Sequence, residues 1–222
     1  VELVEHNLGA WQAMRRHHTQ VAAAVAGAFV VHAARLLGIP ALVFYDTEHA
    51  RLSNRITYPF ATRIFTPRAY YDDLGPKQER YAGYKELAYL HPARFTPDAA
   101  KLAEAGLQAD EPFSFVRLVS WQSHHDINHH GVADVRAVIA RLEPYGRVIV
   151  SSEAPLPEDL QMYRWRGRVS DIHHVMAHAR LYYGDSSTMA AESAQLGVPG
   201  IFVSSLRMGT TDELTDRYHM LF

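Results

Sequence analysis

The hydrophobic positions of this chain fall into short runs separated by polar turns, and the spacing within the runs changes along the sequence. In VVHAARLLGIP the apolar residues Val30, Ala33, Ala34 and Leu37 recur at helical intervals, and Gly38 and Pro40 then stop the pattern. This predicts a helix ending near residue 37, the last part of an Ala-, Val- and Leu-rich stretch that starts at residue 11 and is divided by Gly27. ALVFY (41–45) is instead a compact β-rich run followed at once by Asp46, Thr47, Glu48 and His49, which reads as a buried strand with polar residues at its carboxyl end. TRIFTP (62–67) and ERYAGY (79–84) predict two more short strands. RFTPDAAKLAEAGL predicts a helix after Pro97, with Thr96 as its cap.

From Pro112 onward the two periodicities alternate. FSFVRLVS, RVIVSSE, LYYGDSS and PGIFVSS read as strands, and VADVRAVIARLEPYG, DIHHVMAHA and TMAAESAQLG between them read as helices. Strands alternating with helices through short loops imply a parallel sheet covered on both faces. The chain is therefore α/β in two halves, residues 1–92 and 112–222, joined by a linker at 93–111, without internal repeats or low-complexity segments.

Composition narrows the class. With 48% hydrophobic and 21% charged residues over 222 positions, the chain can bury one large core or two small ones. A net charge of −2 argues against a dedicated nucleic-acid binder and leaves small-molecule chemistry. The absence of cysteine removes disulfides, thiolate metal sites and a cysteine nucleophile. No apolar run approaches the roughly 20 residues of a spanning helix, and VELVEHNLGAWQAMRRHH is not a signal peptide, so the expected location is cytoplasmic.

Open α/β sheets bind ligands beyond the carboxyl ends of their strands, and the unusual polar residues collect there: Asp46 to His49, Ser120 to His130, Ser151 to Glu153, and Gly184 to Thr188. In GDSSTMAAESAQLGVPGIFV (184–203), Gly184 lets the chain turn close to a ligand, and Ser186, Ser187 and Thr188 open a helix whose free N–H groups favour an anion such as phosphate. Glu192 lies one turn in from Thr188, where a carboxylate can accept hydrogen bonds from vicinal hydroxyls such as those of ribose. The alternative is that the SST triplet only caps the helix and Glu192 is a solvated surface residue. Spacing alone leaves both open.

The segment SWQSHHDINHHG (120–131) raises a separate question, because His124, His125, His129 and His130 with Asp126 could supply metal ligands. Ligation needs groups converging from fixed positions, which adjacent residues of one loop do poorly. The better reading is a polar wall for a sugar or diphosphate, with one histidine as acid, base or phosphate donor and no metal ligands assigned.

The pattern SST-x-x-x-E followed by LGVP resembles the donor-binding segment of GT-B glycosyltransferases and of the non-hydrolysing UDP-N-acetylglucosamine 2-epimerases. More narrowly, DTEHARLSNR, GYKELAYLHPARFTPD, VRLVSWQSHHD, SSEAPLP, DIHHVMAHA and GDSSTMAAESAQLGVP together resemble the family catalogued as domain of unknown function 354, over about residues 28–218. The resemblance implies a GT-B-like fold of two Rossmann-like parallel-sheet domains with a cleft between them. It also implies incomplete termini, because no opening strand and glycine-rich turn precedes Val1 and the closing helices are not evident. It assigns Gly184, Ser186, Ser187 and Thr188 to the diphosphate and Glu192 to the ribose, with the turn at 171–174 against the base. Ser120, Ile172 and His173 are further lining candidates, and Glu153 reads equally as a grip on a sugar hydroxyl or as binding nothing. Spacing places one of His173 and His174 toward the cleft and one toward solvent; the alternative is that Asp171 caps the helix and both histidines are incidental surface residues.

The implied catalytic candidates are Glu48, which stands where the epimerases carry a glutamate in an EAGLR-like motif, and His124, His125 and Asp126. The chain departs from the epimerases at VAGAF (25–29), which lacks their acidic residue, and an epimerase needs a full acid/base set to exchange the proton at carbon 2. The expected activity is thus glycosyl transfer from a UDP-type nucleotide sugar to an unknown acceptor in polysaccharide or glycoconjugate synthesis, without a required cofactor and with a homodimer left open. Epimerisation, binding without catalysis, and histidine-metal hydrolysis are the competing readings.

Overall fold

In the computed structural model, which describes residues 2–119 and 132–222, eight strands pair into two four-stranded sheets, and every strand pair is parallel. The chain divides accordingly into a first unit, Val1–Lys85 with Met208–Thr210, and a second, Glu86–Arg207 with Thr211–Phe222.

The first unit carries α1 (Glu2–Arg16), β1 (Ala22–Val25), α2 (Ala28–Leu37), β2 (Ala41–Phe44), α3 (Arg51–Thr57), β3 (Arg63–Pro67) and β4 (Gln78–Tyr81). Its strands lie in chain order, β1-β2-β3-β4. Val31 and Ala34 of α2 pack with Ala41, Val43 and Ile64 of the sheet, all buried. Helix α2 ends as its sequence predicts: Gly38 adopts φ 69° and its N–H reaches back to Ala34 and Arg35 carbonyls. At the sheet edge, β4 reads QERY, a polar sequence suited to a strand with one unpaired side.

The second unit carries α4 (Leu87–Leu90), α5 (Ala100–Glu104), β5 (Phe113–Leu118), α6 (Val135–Leu142), β6 (Arg147–Ser152), α7 (Ile172–Met176), β7 (Leu181–Gly184), α8 (Ser187–Gln195) and β8 (Gly200–Phe202), and α9 (Gly209–Asp216) starts in the first unit and ends here. The strand order is β6-β5-β7-β8. Four consecutive residues of β5, Phe113 to Val116, are buried, as both faces of a central parallel strand must be. Val116, Val148 and Val150 pack with Ile139 and Leu142 of α6.

Several elements differ from the sequence reading. Between α1 and α2 the Ala-rich stretch contains β1, whose register with β2 runs from Ala22 opposite Ala41 to Val25 opposite Phe44. Its end turns through Ala26 (φ 58°) and Gly27 (φ 68°) into α2, so residues 22–27 form a strand and a tight turn inside what the sequence presents as one Ala-rich stretch. A Cβ on Gly27 would sit 2.5 Å from the Ala24 Cβ, which makes glycine necessary there. The residues after β2 form α3, which the sequence did not suggest. Helix α5 starts later than predicted, and Asp98 rather than Thr96 serves its first turn by accepting from the Ala100 N–H at 3.0 Å. Beyond β8 comes α9, and Leu221 bridges to Gly200 in parallel. Among the described residues no helix is long and apolar enough to cross a membrane.

Helix α6 begins at Asp134, whose Oδ1 accepts from the Ala137 N–H at 3.0 Å. Asp134→Ala is expected to lower stability by about 1 kcal/mol. Urea denaturation of the two proteins checks this, and a difference within error would show that the cap contributes nothing.

Candidate functional site

In the second sheet β5 lies between β6 and β7, so the connection after β5 runs to one side of it and the next crosses to the other. That reversal is a topological switch point, and the carboxyl ends of β5 and β7 flank the crevice it creates. At the end of β7, Gly184 meets its neighbour closely: a Cβ there would lie 2.4 Å from the Arg117 carbonyl oxygen and 2.8 Å from the Tyr182 hydroxyl. The close approach that demands glycine is therefore to the backbone of β5. Asp185 follows, buried, and accepts from the Val119 N–H on Oδ1 at 2.9 Å and from the Val132 N–H on Oδ2 at 3.3 Å.

Ser186 caps α8, its Oγ accepting from the Met189 N–H at 3.3 Å. The amides of Ser187 and Thr188 precede the first possible intrahelical acceptor and point out of the helix end, where the dipole is positive. Glu192, one turn further on, is only 6% exposed, so it is not a solvated surface residue. Its Oε1 accepts from the Tyr89 hydroxyl of α4 at 2.7 Å and lies 3.0 Å from Nε2 of His173 on α7. The Tyr89 and His173 rings pack with centroids 5.7 Å apart, and Phe95 meets the same imidazole edge-on at 6.3 Å.

The paired histidines of α7 do not divide between site and solvent. His174 Nδ1 accepts from the Asp98 N–H at 3.0 Å and packs on Phe95, and both histidines are half-buried. Asp171 makes no side-chain cap to α7; the Ser170 hydroxyl donates to it instead. Ile172, the first residue of α7, is half-buried beside them.

Across β5 and β6, Arg117 donates to Ser151 Oγ at 2.8 Å and to Glu153 Oε1 at 2.7 Å. Glu153 is thus one half of an ion pair at the strand ends. Arg117 is a residue the sequence reading passed over, because in FSFVRLV it looks like an outward-facing strand position.

In the first unit, Glu48 follows β2 and is 9% exposed. Its Oε1 accepts from the Gly209 N–H at 3.0 Å and the Tyr71 N–H at 3.2 Å, whereas Oε2 is buried without a hydrogen-bond partner among the described residues. Burial pushes its pKa up, and the nearby Asp46 adds to this against the backbone donors, which pull it down. Tyr58 and Tyr70 share a hydrogen bond at 2.9 Å close by. Burial raises both, Tyr70 to about 12 and Tyr58 further, so both stay protonated at neutral pH. Of these three groups only Glu48 can serve as a base. Asp46 itself pairs with Lys85.

No family model matches the chain, and no curated protein matches it in sequence. Solved structures do match in shape. A UDP-GlcNAc 2-epimerase from Methanocaldococcus jannaschii aligns over 99% of this chain with a TM-score of 0.62 and 13% identity. The same enzyme in complex with UDP-GlcNAc and UDP aligns over 96% with a TM-score of 0.63, also at 13% identity. MurG from Acinetobacter baumannii aligns over 90% with a TM-score of 0.50 and 17% identity. The fold is GT-B-like. The chain spans 57% of the MurG structure's length and 70% and 67% of the two epimerase structures.

On this GT-B-like scaffold Gly184, Ser186, Ser187, Thr188, Glu192, Ile172 and His173 fall within the second unit, and Glu48 falls in the first. Ser120, His124, His125 and Asp126 lie outside the described residues, and with them the question of a histidine metal site. Tyr89, Asp185 and Arg117 are the polar residues that the sequence reading did not select. Asp185 stands inside GDSST and could have been noted as a carboxylate at the switch point. Tyr89 carried no signal, since its partner lies 103 positions away.

Proposed function

We propose that this protein is a nucleotide-sugar-dependent glycosyltransferase of GT-B type, using a UDP-type donor in polysaccharide or glycoconjugate synthesis. The observation that carries the reading is the buried Glu192 carboxylate one turn inside α8, behind the Ser187 and Thr188 amides of the helix's first turn. A ribose diol donates to such a carboxylate, and the diphosphate meets the helix end. MurG, a GT-B glycosyltransferase, and the epimerase in complex with UDP-GlcNAc and UDP share the fold, which supports a nucleotide-sugar ligand here. Membership of the domain of unknown function 354 family rests on the quoted motifs. The positive helix end would stabilise the departing nucleoside diphosphate without requiring a metal. Glu48, its pKa raised by burial, is the candidate base for the acceptor hydroxyl.

A second reading, epimerisation at carbon 2, is favoured by the higher TM-scores of the epimerase structures and by the buried Glu48. Against it stands the turn after β1, where Val25, Ala26 and Gly27 offer no carboxylate. Isotope exchange separates the two. In deuterated water UDP-N-acetylglucosamine is expected to gain no deuterium at carbon 2, with UDP released only when an acceptor is supplied. Deuterium incorporation without acceptor, abolished by Glu48→Gln, would establish the epimerase instead.

A further inference from the structure

The two contacts on Glu192, a hydrogen bond from Tyr89 and the approach of His173 Nε2, bear on more than its burial. A carboxylate offers two oxygens with about four acceptor sites in all. Tyr89 and His173 converge on Oε1 alone, and no donor among the described residues reaches Oε2. They come from different elements, α4 and α7, so the carboxylate is held from two directions and cannot turn without breaking both contacts. The imidazole packs against the Tyr89 and Phe95 rings, which orients Nε2 toward Oε1 at 3.0 Å.

We propose that Tyr89 and His173 are positioning residues that hold the Glu192 carboxylate with Oε2 directed at the ribose diol, and so set a preference for ribonucleotides over 2′-deoxyribonucleotides. This rests on the reading of Glu192 as the ribose-holding residue. A rigid acceptor matched to a hydroxyl penalises a ligand that lacks it, because the acceptor is then left unpaired in a partly buried site. A carboxylate freed from its donors can turn toward water and loses that penalty. Tyr89 and His173 therefore act on discrimination between sugars and leave the diphosphate contacts at the head of α8 unchanged.

Calorimetric titration of the 222-residue chain with UDP, 2′-deoxy-UDP and inorganic pyrophosphate tests this. The unaltered protein is expected to favour UDP over 2′-deoxy-UDP by about tenfold or more. Tyr89→Phe and His173→Leu should each reduce that ratio to roughly threefold or less without changing pyrophosphate affinity. His173→Gln, whose side-chain amide restores a donor, should recover the ratio. An unchanged ratio in Tyr89→Phe and His173→Leu, or an equal loss of UDP and pyrophosphate binding, overturns the positioning role. Glu192→Gln keeps the two fates apart. If it abolishes the ratio while those two variants retain it, only the positioning role fails; if it binds UDP as the unaltered protein does, the ribose assignment itself fails.

Discussion

Glu192→Ala is expected to weaken UDP binding by about 1.5–3 kcal/mol, the range for hydrogen bonds to a charged group, which corresponds to roughly 10- to 150-fold in affinity. The substitution removes the acceptor that a ribose diol would use and also strands the Tyr89 hydroxyl and the His173 Nε2 that now point at it. A ligand that binds only the folded state raises the melting temperature with concentration, so the variant should show little shift where the unaltered protein shows a clear one. Far-ultraviolet circular dichroism guards against a folding defect. A folded variant with undiminished UDP affinity would remove the central support for a nucleotide-sugar enzyme.

Gly209→Ala should cost about 3 kcal/mol of stability, toward the upper end for overpacking, because the added atom meets backbone. A Cβ at this position would lie 1.7 Å from the Ala69 carbonyl oxygen, and the residue's own N–H is one of the two amide donors to Glu48. The start of α9 must move, and Glu48 then loses part of what holds its buried carboxylate. Urea unfolding measures the cost directly; a loss below roughly 0.5 kcal/mol, the ordinary range for surface substitutions, would show that the helix start yields easily.

The contrast between Glu192 and β1 shows what this sequence discloses. A run such as FSFVRLV announces a strand because a central parallel strand is buried on both faces and must be apolar throughout. The four residues of β1 are AAAV, whose local preference is helical, and only pairing to β2 makes them a strand. For α8 the cap, the small residues and the glutamate were all legible, since they share one turn of one helix. The environment of Glu192 was not, because Tyr89 and His173 arrive from elements 103 and 19 positions away along the chain. Gly184 was recognised for a ligand, whereas the structure gives it a neighbour in its own sheet. Asp171 looked like a cap by position and does not act as one, since the short helix α7 draws its order from the packing of both histidines.

The hydrogen bond from Gly209 to Glu48 joins residues 161 positions apart. Synthesis proceeds at about 5–20 residues per second, so Glu48 leaves the ribosome about 10–30 s before the amide that completes its site exists. During that interval the first sheet can form, because β1 to β4 all lie in the first part of the chain, but a carboxylate destined for burial still lacks the Gly209 amide. The first unit to emerge is then finished only near the end of synthesis, and nascent chains stalled before residue 209 should carry a loosened, protease-sensitive segment around Glu48 and Tyr71 that vanishes once α9 is made.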